Sequence, residues 1–191
     1  MNVTTRKLTH SAIMIALGVV LSIFAVFEMG NGGSITIASM APIIVISLMY
    51  DLKWAMLTSF TYSVLQLLLD FSPPPTQDFL SFILVILLDY VIAYTVIGLA
   101  GTIARRFESK VVGAAVGTTC VILLRLLCSF LSGILIWYVY TPEGMSIWFY
   151  SLSYNASYMI PELIITTVVI SLLVKYVDLA KLKASASPKA A

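Results

Sequence analysis

Charge is scarce in this chain of 191 residues: 10% are Asp, Glu, Lys or Arg, against 60% hydrophobic. That leaves too little polar surface to coat a soluble globule, so the bilayer is the chain's solvent. Histidine is nearly absent. A lone His10 excludes histidine-pair metal sites and most catalytic triads, and it reads as a helix-end residue. The only cysteines, Cys120 and Cys128, would sit roughly 12 Å apart on one helix, beyond disulfide reach, and read as small buried apolar residues. No G-x-x-x-x-G-K-[ST] loop occurs, so any ATP-driven step needs a partner. The G-x-S-x-G elbow of a serine hydrolase is missing too, which makes an enzyme the weaker class of reading. A net charge of +2 gives no sign of nucleic-acid binding.

What the chain has is long apolar runs. Six can be read, at 8–28, 34–50, 54–71, 79–103, 111–140 and 148–174, and a helix needs about 20 such residues to cross the hydrocarbon layer. The fold expected is an all-α integral membrane protein of six transmembrane helices, forming one substrate-binding domain over residues 1–183 with a disordered tail at 184–191. The first run follows Arg6-Lys7, as a signal peptide would, but Met29-Gly30-Asn31-Gly32-Gly33 after it contains no small-x-small cleavage site, and it reads as a span. Basic residues fall in alternate breaks: Arg6, Lys7, Lys53, Arg105, Arg106, Lys110, Lys175, Lys181, Lys183 and Lys189 share one side. Both termini are therefore expected in the cytoplasm. The opposite side carries Glu28, Asp70, Asp78 and Glu143 and no basic residue, an entrance that would favour a cationic solute.

Three ionisable residues lie deep within spans: Asp89, Arg125 and Glu162. Such groups cost several kcal/mol unless paired, so each is a functional candidate, with a structural Asp–Arg or Glu–Arg pair as the plain alternative. Steps of four along the fifth run align Arg125, Ser129, Gly133 and Trp137, the last also suited to an interfacial aromatic belt. The sixth run opens with Tyr150, Tyr154 and Tyr158 at intervals of four, beside Asn155, and is too rich in hydrogen-bonding groups to face only lipid. Pro161 then removes a backbone donor. In the fourth run, Asp89-Tyr90 offers a carboxylate and an aromatic ring. Together these groups suit a flat, nitrogen-containing, cationic molecule.

The chain resembles the substrate-binding S-components of energy-coupling-factor (ECF) vitamin transporters, particularly the thiamine-specific type. The resemblance is carried by Ser11 to Leu17, Gly33-Ser34 to Ala41-Pro42, Leu88-Asp89-Tyr90 with Gly98 to Gly101, Arg125 to Gly133 with Trp137, and Tyr150 to Asn155 through Pro161-Glu162. It implies a non-enzymatic, multi-pass protein of the prokaryotic cell membrane that needs no cofactor and captures thiamine, its transported ligand, under a lid made by the first loop. It implies as partners a transmembrane coupling subunit and two ATPase subunits, with the lipid bilayer around them. The substrate-binding residues it implies are Asp89 and Tyr90, Arg125 and Ser129, Trp137, and Tyr150 with Asn155. Tyr154 joins them from the tyrosine-rich stretch. Ala12 and Ala16, a small-x-x-x-small pair, are the implied docking surface for the coupling subunit, although Gly113 and Gly117 show the same spacing. The chain departs from the family pattern with Asp for Glu at position 89, Ser for His at 129, and no tryptophan in the first loop. Capture of a thiamine precursor or another vitamin, or an ion-coupled stand-alone carrier using Asp89 or Glu162, are the competing readings.

Overall fold

The computed structural model describes residues 3–29, 33–76 and 78–184. Helix α1 (Val3–Ile23) leads into an antiparallel hairpin, β1 (Ala25–Glu28) with β2 (Ser34–Thr36). Helices α2 (Ala41–Met49), α3 (Leu52–Leu69), α4 (Phe79–Ala104), α5 (Lys110–Leu135) and α6 (Ile147–Tyr176) follow, then a short α7 (Leu179–Ala184). Helices start where side chains satisfy free backbone N–H groups. Asp51 accepts from Trp54 N, Asp78 from Ser81 N and Ser109 from Val112 N, while Pro42 occupies the first turn of α2.

Among the described residues four helices, α1, α4, α5 and α6, are long and apolar enough to cross a membrane. The expected second span, 34–50, is not one continuous helix. Its first residues pair as β2 with β1, in the register Ala25 to Thr36, Phe27 to Ile35 and Glu28 to Ser34. The all-α expectation is corrected to that extent. Only nine residues remain for α2, roughly 14 Å at 1.5 Å per residue, too short to span alone. α2 is instead the core of the bundle: Ile43, Ile44 and Ile46 are all but inaccessible, enclosed by neighbouring helices. A run buried by protein and a run bathed in lipid are equally apolar, so composition does not separate them. The fifth run, expected to 140, is helical to Leu135 and then tightens into a 3-10 turn, Trp137–Tyr140. Pro161 lies within α6 without ending it. Of the expected tail, Ala184 closes α7 and residues 185–191 lie outside the described residues.

α1 packs on α3 through small and polar groups. Trp54 Nε1 donates to Ser11 Oγ at 2.9 Å, Tyr62 OH to the Gly18 carbonyl at 3.3 Å, and Gln66 Nε2 to Ser22 Oγ at 3.1 Å. Small residues allow the close approach, and the hydrogen bonds hold it where the hydrophobic effect drives no helix association. The opposite face of α1, including Ala12 and Ala16, is exposed. His10, expected at a helix end, lies inside α1, where its Nδ1 meets Tyr50 OH at 2.7 Å, and both cysteines are free.

Candidate functional site

α4 departs from α-helical winding over Ile86–Ile92, where it widens into a π-helix. Asp89 and Tyr90 both fall in this wider segment, and both line one cavity. The cavity has a volume of about 440 Å³ and is lined by all eight sequence-predicted residues: Asp89, Tyr90, Arg125, Ser129, Trp137, Tyr150, Tyr154 and Asn155. That volume lies within the range that encloses a small organic ligand.

Asp89 is held rather than loose. Its Oδ2 accepts from Ser132 Oγ at 2.7 Å and from Trp137 Nε1 at 3.0 Å, while no hydrogen bond among the described residues reaches Oδ1. The indole of Trp137 is nearly parallel to the ring of Tyr140, at 19° and 6.2 Å between centroids. Tyr90, expected to offer a ring face or a hydroxyl beside Asp89, has its hydroxyl engaged within the protein. Its hydroxyl donates to the Asp70 carbonyl and accepts from Ser72 N at 2.9 Å, so it anchors the chain leaving α3 and presents only its ring to the cavity.

Arg125 forms neither of the expected ion pairs. Among the described residues the only pairs are Lys7 with Asp51 and Lys181 with Asp178. Its Nη2 donates to Tyr94 OH at 2.8 Å and its Nη1 meets Met40 Sδ at 3.1 Å, and its guanidinium carbon sits 4.2 Å from the centroid of the Tyr94 ring. Its Nε is buried with no partner among the described residues. Glu162 is engaged elsewhere: Oε2 accepts from Thr36 N and Oε1 from Thr36 Oγ1, both at 2.8 Å. The carboxylate thus ties β2 to α6, satisfying an edge-strand N–H that no lipid would satisfy.

Asn155, expected to offer both a donor and an acceptor to a ligand, lines the cavity and is also bonded within the protein. Its Nδ2 donates to the Ser151 carbonyl at 2.9 Å and the Ser129 carbonyl at 3.3 Å, and its Oδ1 accepts from Tyr158 OH at 2.7 Å. It joins α5 to α6 and orients Tyr158. Gly133 makes this junction possible, since a Cβ there would overlap Ser151 Oγ and lie 3.3 Å from Asn155 Nδ2. Tyr150, Tyr154 and Tyr158 follow one another along the wall with centroids 5.8 and 6.1 Å apart, the first pair tilted by 34° and the second edge-to-face at 74°. Gly33, at φ +85°, lies so close to the Tyr158 ring that a Cβ would come within 2.7 Å of it. The hairpin therefore approaches the cavity on this side. Met29 and Gly33 both line it, whereas residues 30–32 of the expected lid lie outside the described residues.

Carboxylates dominate the wall: Glu28, Asp70, Asp89 and Glu162 line it, with Arg125 the only cation among the described lining residues. A low-dielectric cleft of that sign focuses a field that attracts cations. Asp78 and Glu143, expected at the entrance, do not line the cavity. Asp78 is a helix cap, and hydrogen bonds from Ser81 and Thr76 hold its carboxyl down at about 2. Sequence reasoning missed Tyr94, Ser132 and Thr36. Ser132 stands seven residues after Arg125 and Tyr94 four after Tyr90, a helical spacing that could have found both. Thr36 carried no such signal.

A family described as "Thiamine transporter protein (Thia_YuaJ)" matches residues 8–181. The thiamine transporter ThiT of Bacillus subtilis (strain 168) is 32% identical over 180 residues, covering 87% of this chain and 89% of that protein. ThiT of Lacticaseibacillus paracasei is 29% identical over 96 residues, covering 46% and 48%. A solved structure of ThiT from Listeria monocytogenes superposes with a TM-score of 0.75 over 92% of this chain and 97% of that one; at 19% identity this shows a shared fold. The family consists of transporters, not enzymes, and the apolar helices make this chain a multi-pass protein of the plasma membrane. With the family's profile extending over nearly the whole sequence, the chain belongs to the thiamine transporter protein family.

Proposed function

We propose that this chain is the substrate-capture S-component of an ECF transporter, that it binds thiamine from the extracellular side in the cavity of α4, α5 and α6, and that a transmembrane coupling subunit and two ATPases drive uptake. The observation that carries the reading is the convergence of Asp89, Trp137, Arg125 and the Tyr150–Tyr154–Tyr158 ladder on one acid-rich cavity. Thiamine is a flat cation with an aminopyrimidine. An acceptor beside an indole, a row of aromatic faces and a surplus of carboxylates are the complementary features. In this reading α1 to α6 form one transmembrane domain over residues 1–183, with both termini in the cytoplasm beside the basic helix ends. The hairpin acts as the lid, latched to α6 through Glu162 and Thr36.

The deciding measurement is intrinsic tryptophan fluorescence of the purified protein in detergent, titrated with thiamine, its precursors and other vitamins. Trp137 lines the cavity, and saturable quenching by thiamine is expected. Quenching only by a precursor or another vitamin reassigns the ligand, and none by any of them overturns the capture role. In Trp137→Ala, with affinity followed by calorimetry, thiamine binding is expected to weaken about fivefold through loss of a stacking ring worth roughly 1 kcal/mol, while the helical circular dichroism stays unchanged. An unaltered affinity removes Trp137 from the site.

Ala12 and Ala16 lie exposed on the outer face of α1, and we assign to them the docking of the coupling subunit, since small side chains permit close helix approach. Ala12→Trp is expected to bind thiamine normally but to fail to co-purify with the coupling subunit and ATPases. Normal assembly would reject the assignment.

A further inference from the structure

At the basic end of the bundle, away from the site just described, lies a second cavity of about 660 Å³. Arg105, Lys110, Lys175 and Lys183 line it, and all four are exposed. None is within ion-pair distance of a carboxylate among the described residues. Glu108 and Asp178 are the acids on the same wall, and Asp178 lies 3.9 Å from Lys181. Positive charge is therefore in excess there. Arg105 is held in place through Nη1, which donates to the Tyr50 carbonyl at 3.2 Å.

Between these cations the wall is apolar, with Leu48, Met49, Ala114, Val174 and Leu179. Lys110 is the first residue of α5 and Lys175 stands in the last turn of α6, which sets the cavity at the level where helices leave the apolar layer. Val112 and Val177 are exposed beside these lysines and continue the apolar surface outward. A soluble anion would use the charges alone. An anion that also carries hydrocarbon would use both kinds of wall, and the membrane supplies one at this depth.

We propose that this cavity binds the headgroup of an anionic phospholipid, its phosphate taken by Lys110, Lys175 and Lys183 and its upper acyl carbons lying on the apolar wall. The site is separate from the vitamin cavity and does not depend on which ligand that cavity holds. The full chain, purified in mild detergent, is exposed to phosphatidylglycerol or to phosphatidylcholine of the same acyl chains, washed, and the retained lipid counted by native mass spectrometry. Phosphatidylglycerol is expected to be retained at least about 5-fold better, as befits an electrostatic contact with several lysines. Changing Lys110→Gln, Lys175→Gln and Lys183→Gln together should bring it down to the phosphatidylcholine level. The matching triple Lys→Arg change should keep the preference, with helical circular dichroism and a single elution peak confirming folding throughout. Should the triple glutamine variant fail to fold, Lys110→Gln and Lys175→Gln singly are each expected to lower retention about twofold. Equal retention of both lipids, undiminished retention in the glutamine variants, or displacement of phosphatidylglycerol by millimolar inorganic phosphate, which would make this a free-anion site, overturns the proposal.

Discussion

Replacing Asp89 with asparagine is expected to lower thiamine affinity about 10- to 100-fold while leaving the protein folded, because hydrogen bonds to a charged group contribute about 1.5–3 kcal/mol and each 1.4 kcal/mol is tenfold in affinity. The substitution is nearly isosteric. An amide oxygen can still accept from Ser132 Oγ and Trp137 Nε1, the two donors that hold the carboxylate now. What disappears is the charge and the strong acceptor at Oδ1, which no described residue uses. Calorimetric titration of the variant against thiamine reads the effect, and thermal unfolding separates it from damage to the fold. Undiminished affinity would show that the ligand does not meet Asp89.

Gly133→Ala is expected to reduce affinity at least about tenfold and to lower the unfolding temperature by several degrees, as overpacking a tight contact costs roughly 1–3 kcal/mol. The added methyl would overlap Ser151 Oγ, whose hydroxyl donates to the Phe130 carbonyl at 2.8 Å, and would press on Asn155. Either α5 and α6 separate or Ser151 gives up its bond. In both cases Asn155 loses its hold on the Ser129 carbonyl and on Tyr158. A second change tests the cause: Ser151→Gly in the same chain removes the obstructing group and should restore most of the binding. If the double variant binds no better than Gly133→Ala, helix approach at this point is not what the glycine provides.

Which residues line the cavity was largely legible before its geometry. Asp89 and Arg125 stood out because charge at membrane depth is costly, and the tyrosine ladder of α6 stood out because four-residue spacing puts side chains on one helical face. Their partners were not legible. The charge on Arg125 suggested a carboxylate, yet Tyr94 and Met40 receive it. Glu162 was marked as important, but its partner Thr36 belongs to a strand inside a run that read as a transmembrane helix. Asn155 was read as a ligand contact, and its role as a joint between helices carried no signal. Tyr90 was read as a companion to Asp89, and nothing in the spacing showed that its hydroxyl also fastens the corner after α3.

Composition and spacing determined, without any coordinates, that the chain lives in lipid, that its long runs are helices, and which of their faces carry polar groups. These are properties each helix has alone, set by the cost of unsatisfied backbone in hydrocarbon and by the 3.6-residue turn. The tertiary structure decided which of those polar groups meet, that a buried nine-residue helix takes the place of one expected span, and that the segment carrying Asp89 and Tyr90 is wound as a π-helix. Those outcomes rest on contacts such as Asp89 with Ser132 and Thr36 with Glu162, 43 and 126 positions apart. Such pairings follow from how helices pack against one another, and no local pattern in a sequence encodes that.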